Sequence, residues 1–98
     1  MKFDKPIAEL IYTGHAVQQM FTRRITADEV REILADHEMI AEYPDDVPYP
    51  SRLLLGVVKG RPLHLVLGYD EQGAVGYVVT VYEPDPALWE EGFRKRRI

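Results

Sequence analysis

Residues 52–83 decide the fold, and they read RLLLGVVKGRPLHLVLGYDEQGAVGYVVTVYE. This stretch contains three runs rich in Val, Leu and Tyr, which are residues that strands prefer: Arg52–Val58, Leu63–Tyr69 and Val75–Glu83. A turn of a few residues that includes a glycine separates each run from the next. Because connections this short allow only antiparallel pairing, the stretch predicts an antiparallel sheet that carries most of the core.

Alternation of side chains along a strand assigns each residue of these runs to a face. The leucines on either side of His64 predict a core-facing surface, and every second residue of the next run is predicted to share it: Val75, Tyr77, Val79 and Val81. If Tyr69 pairs with Val75, then His64 lies opposite Thr80 and close to Tyr82. The sequence therefore predicts a polar strip on the face of the sheet that points away from the core.

Two helices are predicted before the sheet. His15–Arg24 carries apolar residues at roughly helical spacing. The second helix has an N-cap at Thr26 and a capping-box glutamate three residues later at Glu29, and it should end near Asp36 or His37. Since only Arg24 and Ile25 link the two segments, we expect a compact helical hairpin.

The remaining segments complete the expected architecture. Residues 1–12 fit either a helical turn or a short edge strand, and Met39–Tyr43 fits a further strand. Ala87–Phe93 is predicted to be a short terminal helix with Asp85 as its cap. The expectation is a single α+β domain over residues 1–98, with an N-terminal helical hairpin on a three- to four-stranded antiparallel sheet and a short C-terminal helix.

Composition excludes several classes of protein. The chain has 98 residues, 46% of them hydrophobic, which suits one globular domain rather than a disordered tail. It contains no cysteine, so a disulfide scaffold and a thiolate metal site are both excluded. No apolar run approaches the roughly 20 residues of a membrane span, and the N-terminus does not resemble a secretory signal. We therefore expect a soluble, cytoplasmic protein that has no membrane partner.

Charge is distributed unevenly along the chain. The formal net charge is −4, which argues against broad affinity for nucleic acids. Residues 28–46 contain eight acidic side chains against a single basic one, whereas residues 94–97 are Arg-Lys-Arg-Arg. The acidic flank and the basic end either bind separate partners or serve to keep the protein soluble.

Two histidines are candidates for proton transfer. His64 lies in the middle of a predicted strand and titrates near neutral pH, so it is either a general acid or base or a structural histidine bonded to a hydroxyl such as that of Thr80. His15 begins the first helix, where it serves either as a cap or in chemistry. No two histidines have the spacing of metal ligands, so a metal site is not expected.

Arginine and tyrosine side chains are candidates for substrate binding. Arg23 and Arg24 end the first helix, and a guanidinium binds phosphate through paired hydrogen bonds, although arginines at helix ends are also commonly just solvated. Tyr82 can stack on a base or donate a proton, or it can simply pack within the sheet. The register of the first hairpin is ambiguous by one residue, which leaves open whether Arg52 joins the polar strip.

Together these motifs resemble a known bacterial family, domain of unknown function 4258. The resemblance rests on a histidine-alanine helix start at His15, an arginine ahead of the Ile25-Thr26 pair, a leucine-histidine strand at Leu63-His64, and a Thr-x-Tyr strand that ends at Tyr82. It extends from about Thr13 to Pro84. The sequence departs from the family pattern at Arg24, where glycine is usual, and at Gln19, where a basic residue is frequent.

The family's layout is similar to that of RelE-like and BrnT-like toxins, which are small ribonucleases paired with antitoxins. The resemblance implies an endoribonuclease that needs neither metal nor cofactor, with RNA as substrate and an antitoxin-like protein as partner. The site residues that it implies are His64, His15 and Tyr82 for catalysis, and Arg23, Arg24 and Thr80 for substrate binding. The alternative is a non-catalytic module that binds a protein through the sheet.

Overall fold

Residues 7–98 are described by a computed structural model in which two helices pack on one face of a five-stranded sheet. The elements are, in chain order, β1 (Glu9–Tyr12), α1 (Gly14–Arg23), α2 (Ala27–Ala35), β2 (Glu38–Tyr43), β3 (Ser51–Val58), β4 (Arg61–Asp70) and β5 (Val75–Tyr82). Across the sheet the strands are ordered β1-β5-β4-β3-β2. The predicted α+β class and its two leading helices are confirmed, whereas the part of our N-terminal prediction that concerns residues 1–6 lies outside the described residues.

Local signals account for the limits of both helices. The hydroxyl of Thr13 accepts a hydrogen bond from the backbone of Ala16 and so caps α1. Thr26 and Glu29 form the predicted capping box of α2, with both of its hydrogen bonds present. Helix α1 ends at Arg24, which is left-handed at φ 56°, and this conformation explains why a glycine would suit the position.

The core lies between the helices and one face of the sheet, here called the helix face. Helix α1 packs against β5, and α2 packs against β3 and β4. The buried residues of the core are Ala16, Ile25, Val30, Ile33, Leu54, Val58, Leu63, Leu65, Leu67, Val78 and Val81. Gly56 allows the close approach of α2, because a Cβ at that position would lie only 3.0 Å from two side-chain carbons of Ile33.

The sheet is mixed, which corrects the prediction of three or four antiparallel strands. β1 pairs with β5 in parallel, while the other neighbouring strands are antiparallel. β1 can pair with β5 in parallel because both helices and three strands lie between them along the chain. This connection is longer than the crossover that parallel strands require. Of the two readings for residues 1–12, the edge strand is therefore the right one for Glu9–Tyr12.

The register between β4 and β5 also differs from the prediction, because the pairing at the turn is shifted by one residue and a β-bulge shifts it by one more. Asp70, not Tyr69, pairs with Val75, and Leu67 pairs with Val78. The next pair is Val66 with Thr80, so Val79 is the extra residue of the bulge. The side chains of β5 change face at this point, which is why Val78 and Val81 are both buried in the core although they are three positions apart. Val79, which was predicted to face the core, is 39% exposed.

The predicted helix at Ala87–Phe93 is wrong. The carboxylate of Asp85 does accept a bond from the backbone of Ala87, and its carbonyl accepts from Leu88 and Trp89, so one turn begins. The chain then reverses at residues 92–93 and forms an isolated antiparallel bridge between Trp89 and Arg96. A single turn is unstable unless further turns follow it, and Gly92 at φ 90° prevents them.

The C-terminal segment covers part of the sheet face opposite the helices, here called the second face. This face carries Leu53, Leu55, His64 and Tyr82, and Trp89 of the C-terminal segment packs onto it. Among residues 7–98 there is no helix with the length and apolar character that crossing a membrane requires.

Candidate active site

His64 lies on the second face of β4 and is completely buried. Its exposed fraction is 0%, and its strand neighbours are Leu55 and Tyr82. The edge of the Trp89 indole contacts the imidazole, with ring centroids 4.4 Å apart and planes at 83°. The ring of Tyr82 approaches from the other strand at 5.3 Å and 73°. His64 is therefore enclosed by aromatic side chains.

Both ring nitrogens of His64 have hydrogen-bond partners. Nε2 lies 2.9 Å from the carbonyl oxygen of Phe93, and Nδ1 lies 3.2 Å from the hydroxyl of Tyr82. A carbonyl can only accept, so Nε2 carries the proton and donates it. In a neutral imidazole Nδ1 is then the acceptor, and the Tyr82 hydroxyl donates to it.

Burial keeps both members of this pair uncharged. Desolvation lowers the pKa of His64 below its ordinary value of 6.5, and the bond to the Phe93 carbonyl opposes that shift only in part. Desolvation likewise raises the pKa of the Tyr82 phenol above 10, with the nearby Tyr43 adding to the shift and Arg96 opposing it. At neutral pH the pair is a neutral tyrosine that donates to a neutral imidazole.

Tyr82 also lines an open groove of about 610 Å³ beside this pair. The residues of the groove come from the end of α1, the start of β4, the end of β5 and the C-terminal segment: Arg23, Arg61, Tyr82, Glu83, Pro84, Asp85, Pro86, Leu88, Trp89 and Arg96. Three guanidinium groups face two carboxylates, so the groove carries one net positive charge in a chain whose formal net charge is −4.

Arg61 holds the end of α1 against the sheet. Its Nη2 and Nη1 donate to the carbonyls of Arg23 and Arg24, at 2.6 and 3.3 Å, and its Nε donates to Glu83 at 2.9 Å. These carbonyls are among those that the last turn of a helix leaves without partners, so Arg61 completes that turn from outside. It thereby fixes where Arg23 stands at the rim of the groove.

The structure brings some of the predicted site residues together and separates others. Arg23 and Tyr82 line the same groove, and His64 lies directly behind Tyr82. His15 is exposed eight residues before Arg23 on α1, about 12 Å away along the helix axis. Arg24 is the exposed cap of α1 and does not line the groove.

Two further side chains of the predicted polar strip lie away from the groove. Thr80 is half-buried on the second face, but the register at the turn and the bulge together place it opposite Val66, so that Tyr82 and not Thr80 pairs with His64. Arg52 pairs with Leu67, a core residue of the helix face, and so lies on the side of the sheet opposite His64. This placement resolves the ambiguity of the first hairpin.

Sequence reasoning missed several residues of the groove. Arg61 follows the turn between β3 and β4, and no sequence pattern around it indicates that its side chain reaches α1. Trp89 and Arg96 come from the C-terminal segment, where the Arg96 guanidinium carbon lies 5.6 Å from the centre of the Trp89 ring, a cation–π contact. The available signal was the Pro84-Asp-Pro86 stretch before a tryptophan, which marks a rigid turn that carries a large aromatic side chain back to the sheet.

No cluster of three or more histidine, aspartate or glutamate side chains with the geometry of a metal site occurs within residues 7–98.

Comparison with known proteins places the chain in a family. Searches of curated proteins and of solved structures found no match. The sequence pattern of the family described as "Domain of unknown function (DUF4258)" matches residues 12–83, which extend from the end of β1 to just beyond the end of β5 and include Arg23, His64 and Tyr82. The chain therefore belongs to the DUF4258 family.

Proposed function

We propose that this protein is a toxin-like endoribonuclease that cleaves RNA by acid–base chemistry without a metal ion. The observation that carries the proposal is Tyr82, which lines a groove together with arginines and whose hydroxyl is hydrogen-bonded to a histidine nitrogen. The sequence motifs lead to the same proposal through a suggested likeness to RelE-like and BrnT-like toxins, and we propose an antitoxin-like protein as the natural partner.

Phosphate binding is the first task of such a site. Arg23 and Arg96 reach the groove from different elements, and guanidinium groups bind the oxygens of a phosphodiester through paired hydrogen bonds. Arg61 is already engaged with Glu83 and with the end of α1, so its role is to position Arg23. The local positive charge gives RNA a place to bind on an acidic protein.

Proton transfer is the second task. RNA supplies its own nucleophile, because the 2′-oxygen bonds to the adjacent phosphorus as the bond from phosphorus to the 5′-oxygen breaks. Tyr82 accepts the proton of the 2′-hydroxyl as it passes its own proton to Nδ1 of His64. The same relay then returns a proton to the departing 5′-oxygen, so the products are a 2′,3′-cyclic phosphate and a 5′-hydroxyl.

Protonation of His64 is the least favourable step of this mechanism. The relay makes His64 a cation for as long as it holds the extra proton, and burial disfavours that cation. His15, Arg24 and Thr80 lie outside the groove, so the relay as proposed does not use them.

Two variants that each replace one tyrosine by phenylalanine test the proposal. Tyr82→Phe removes the hydroxyl that links the groove to His64, and we expect it to slow RNA cleavage at least about 100-fold, as loss of a general acid–base group does. Tyr12→Phe is the matched control, because the buried Tyr12 hydroxyl has no hydrogen-bond partner within the described residues. Cleavage is measured on a labelled single-stranded RNA in the presence of a chelator. Equal rates for Tyr82→Phe and the wild type would contradict the relay.

The alternative function, a non-catalytic module that binds a protein, has an observation of its own. Val17 and Phe21 are one helical turn apart on α1 and are 55% and 88% exposed, an apolar pair that nothing in the described chain covers. Under this alternative Phe21→Glu abolishes complex formation with the partner that co-purifies with the tagged protein. The endoribonuclease proposal predicts instead that Phe21→Glu leaves the cleavage rate of the isolated protein unchanged.

A further inference from the structure

The C-terminal strap, defined as residues Asp85–Ile98, covers the one histidine to which the proposed mechanism assigns a role. The carbonyl of Phe93 accepts a hydrogen bond from Nε2 of His64, and the ring of Trp89 packs against the imidazole. With the strap in place His64 has no exposed surface. Solvent and substrate therefore reach the imidazole directly only if the strap moves.

Few contacts hold the strap on the sheet. Trp89, at 7% exposure, is its only buried side chain; the others are half-buried or exposed. A single ion pair ties the strap to the sheet edge, between Arg94 and Glu38 of β2 at 2.7 Å, and both side chains are about half exposed. Exposed ion pairs of this kind stabilise weakly, and segments with little buried surface open at a low free-energy cost.

The backbone of the strap is strained where it meets His64. Gly92 and Phe93 are consecutive left-handed residues, with φ of 90° and 60°. This conformation is unfavourable for Phe93, which has a Cβ, and it is the conformation in which the Phe93 carbonyl reaches Nε2. Lifting the strap would relieve the strain at the same time as it frees the imidazole.

The strap also carries the basic run of the sequence, Arg94-Lys95-Arg96-Arg97. Arg94 of this run is held by Glu38, which belongs to the acidic flank at residues 28–46. The basic run and the acidic flank are thus in contact in the folded protein. RNA phosphates carry the same charge as Glu38 and would compete with it for Arg94.

We propose that the turn of the strap at residues 92–94 is an autoinhibitory cover that RNA itself displaces: phosphates bind the basic run, Arg94 leaves Glu38, and the Phe93 carbonyl withdraws from His64, while Leu88, Trp89 and Arg96 stay in the groove. This inference rests on the proposed function, because it names the regulation of the same site. The open state hydrates the imidazole and so removes the desolvation that opposes its protonation during the relay.

Chemical modification of histidine tests the cover. Diethylpyrocarbonate reacts with accessible imidazoles, and mass spectrometry reads each histidine separately. His15 is exposed and serves as an internal reference. In the wild type we expect His64 to react at least about tenfold more slowly than His15. A short single-stranded oligouridine should then raise the rate at His64 several-fold without raising the rate at His15.

Two variants loosen the turn of the strap, and neither changes a residue that lines the groove. Gly92→Ala places a Cβ on a residue at φ 90° and within 3.0 Å of the Arg94 guanidinium, and we expect about tenfold faster modification of His64. Glu38→Gln removes the ion pair and should give about a two- to fivefold increase. The controls are Gly14→Ala, which meets no atom within 4 Å, and Glu32→Gln, the same charge change at an exposed site on α2.

Cleavage assays on the same variants separate this inference from the proposed function. Faster modification and faster RNA cleavage in Gly92→Ala than in the wild type support the cover. Cleavage that stays at the wild-type rate, although His64 has become accessible, overturns autoinhibition and leaves the endoribonuclease intact. The absence of cleavage in both proteins overturns the proposed function and the autoinhibition with it. An oligouridine that binds without raising the modification rate at His64 overturns displacement by RNA.

Discussion

His64 shows how one side chain can be both structural and a candidate for chemistry. Its two hydrogen bonds and its aromatic surroundings are those of a well-satisfied core residue. The same Nδ1 contact also connects it to a tyrosine on the wall of a groove. The catalytic role requires the imidazole to take a second proton. Because burial opposes that protonation, the free energy of unfolding should depend on pH, which can be measured.

The stability of the protein should fall as His64 is protonated. Its pKa is lower in the folded state than the ordinary 6.5, so below that pH the unfolded state binds more protons than the native state. The stabilisation is present above about pH 6.5 and is lost as the pH falls through the folded pKa. Within that window we expect a slope that approaches about 1.4 kcal/mol per pH unit. Denaturant unfolding between about pH 7.5 and pH 5 measures it.

His64→Gln provides the comparison for this prediction. The variant lacks the titrating group but keeps His15 and His37, so their contributions are common to both proteins. Its free energy of unfolding should depend less steeply on pH than that of the wild type. Parallel curves for the two proteins would mean that His64 is not desolvated in the native state.

At the scale of secondary-structure elements, the bulge in β5 is the feature on which the site depends. It moves every later residue of β5 by one position along its partner strand, which brings Tyr82 rather than Val81 opposite His64. Thr13 supports the bulge, because its backbone N–H donates to the carbonyl of Val78 and its hydroxyl donates to the carbonyl of Val79. The same hydroxyl caps α1. One residue thus connects the start of a helix to the register of the sheet.

Thr13→Val should cost about 1–2 kcal/mol, since it removes an N-cap together with the hydrogen bond to the bulge. Thr22→Val makes the same chemical change at an exposed position on α1, and we expect an effect of less than about 0.5 kcal/mol. Chemical denaturation measures both variants. Equal losses at the two positions would show that the contacts of Thr13 do not hold the bulge.

Local signals in the sequence predicted the elements well, while their pairing depended on features that the sequence hides. The capping box at Thr26 and the alternating runs of β3, β4 and β5 each contain their own physical cause within a few residues. The bulge at Val79 has no such signature, because valine is equally suited to a regular strand. The turn and the bulge each shift the register by one residue, and together they move the partner of His64 from the predicted Thr80 to Tyr82.

At the scale of the whole molecule, the unpredicted parts are those fixed by long-range contacts. The edge position of β1 depends on a partner strand more than 60 residues away in sequence. The C-terminal strap is held by Trp89 on His64 and by Arg94 on Glu38, and no local pattern names His64 or Glu38 as the partner. The groove is built where these distant pieces meet. Sequence analysis therefore found Arg23 and Tyr82 but could not show that Arg61 and Arg96 join them.

The salt dependence of RNA binding tests whether the groove is the binding site. For single strands, each phosphate contact lowers the slope of log Kobs against log salt by about 0.7. We expect Arg23→Gln and Arg96→Gln each to reduce the magnitude of the slope by about that amount. Arg31→Gln is the control, because Arg31 is paired with Asp28 on α2, and it should leave the slope unchanged. Binding of a fluorescent oligouridine at several salt concentrations gives the values.

The most direct test of the endoribonuclease proposal is the chemical identity of the RNA ends that the purified protein produces in the presence of a chelator. Mass spectrometry of the products distinguishes a 2′,3′-cyclic phosphate from other termini. The account predicts 2′,3′-cyclic phosphate ends with the wild type and their loss with His64→Ala. Intact RNA with the wild type, or the same cyclic ends in equal amount with His64→Ala, would contradict it.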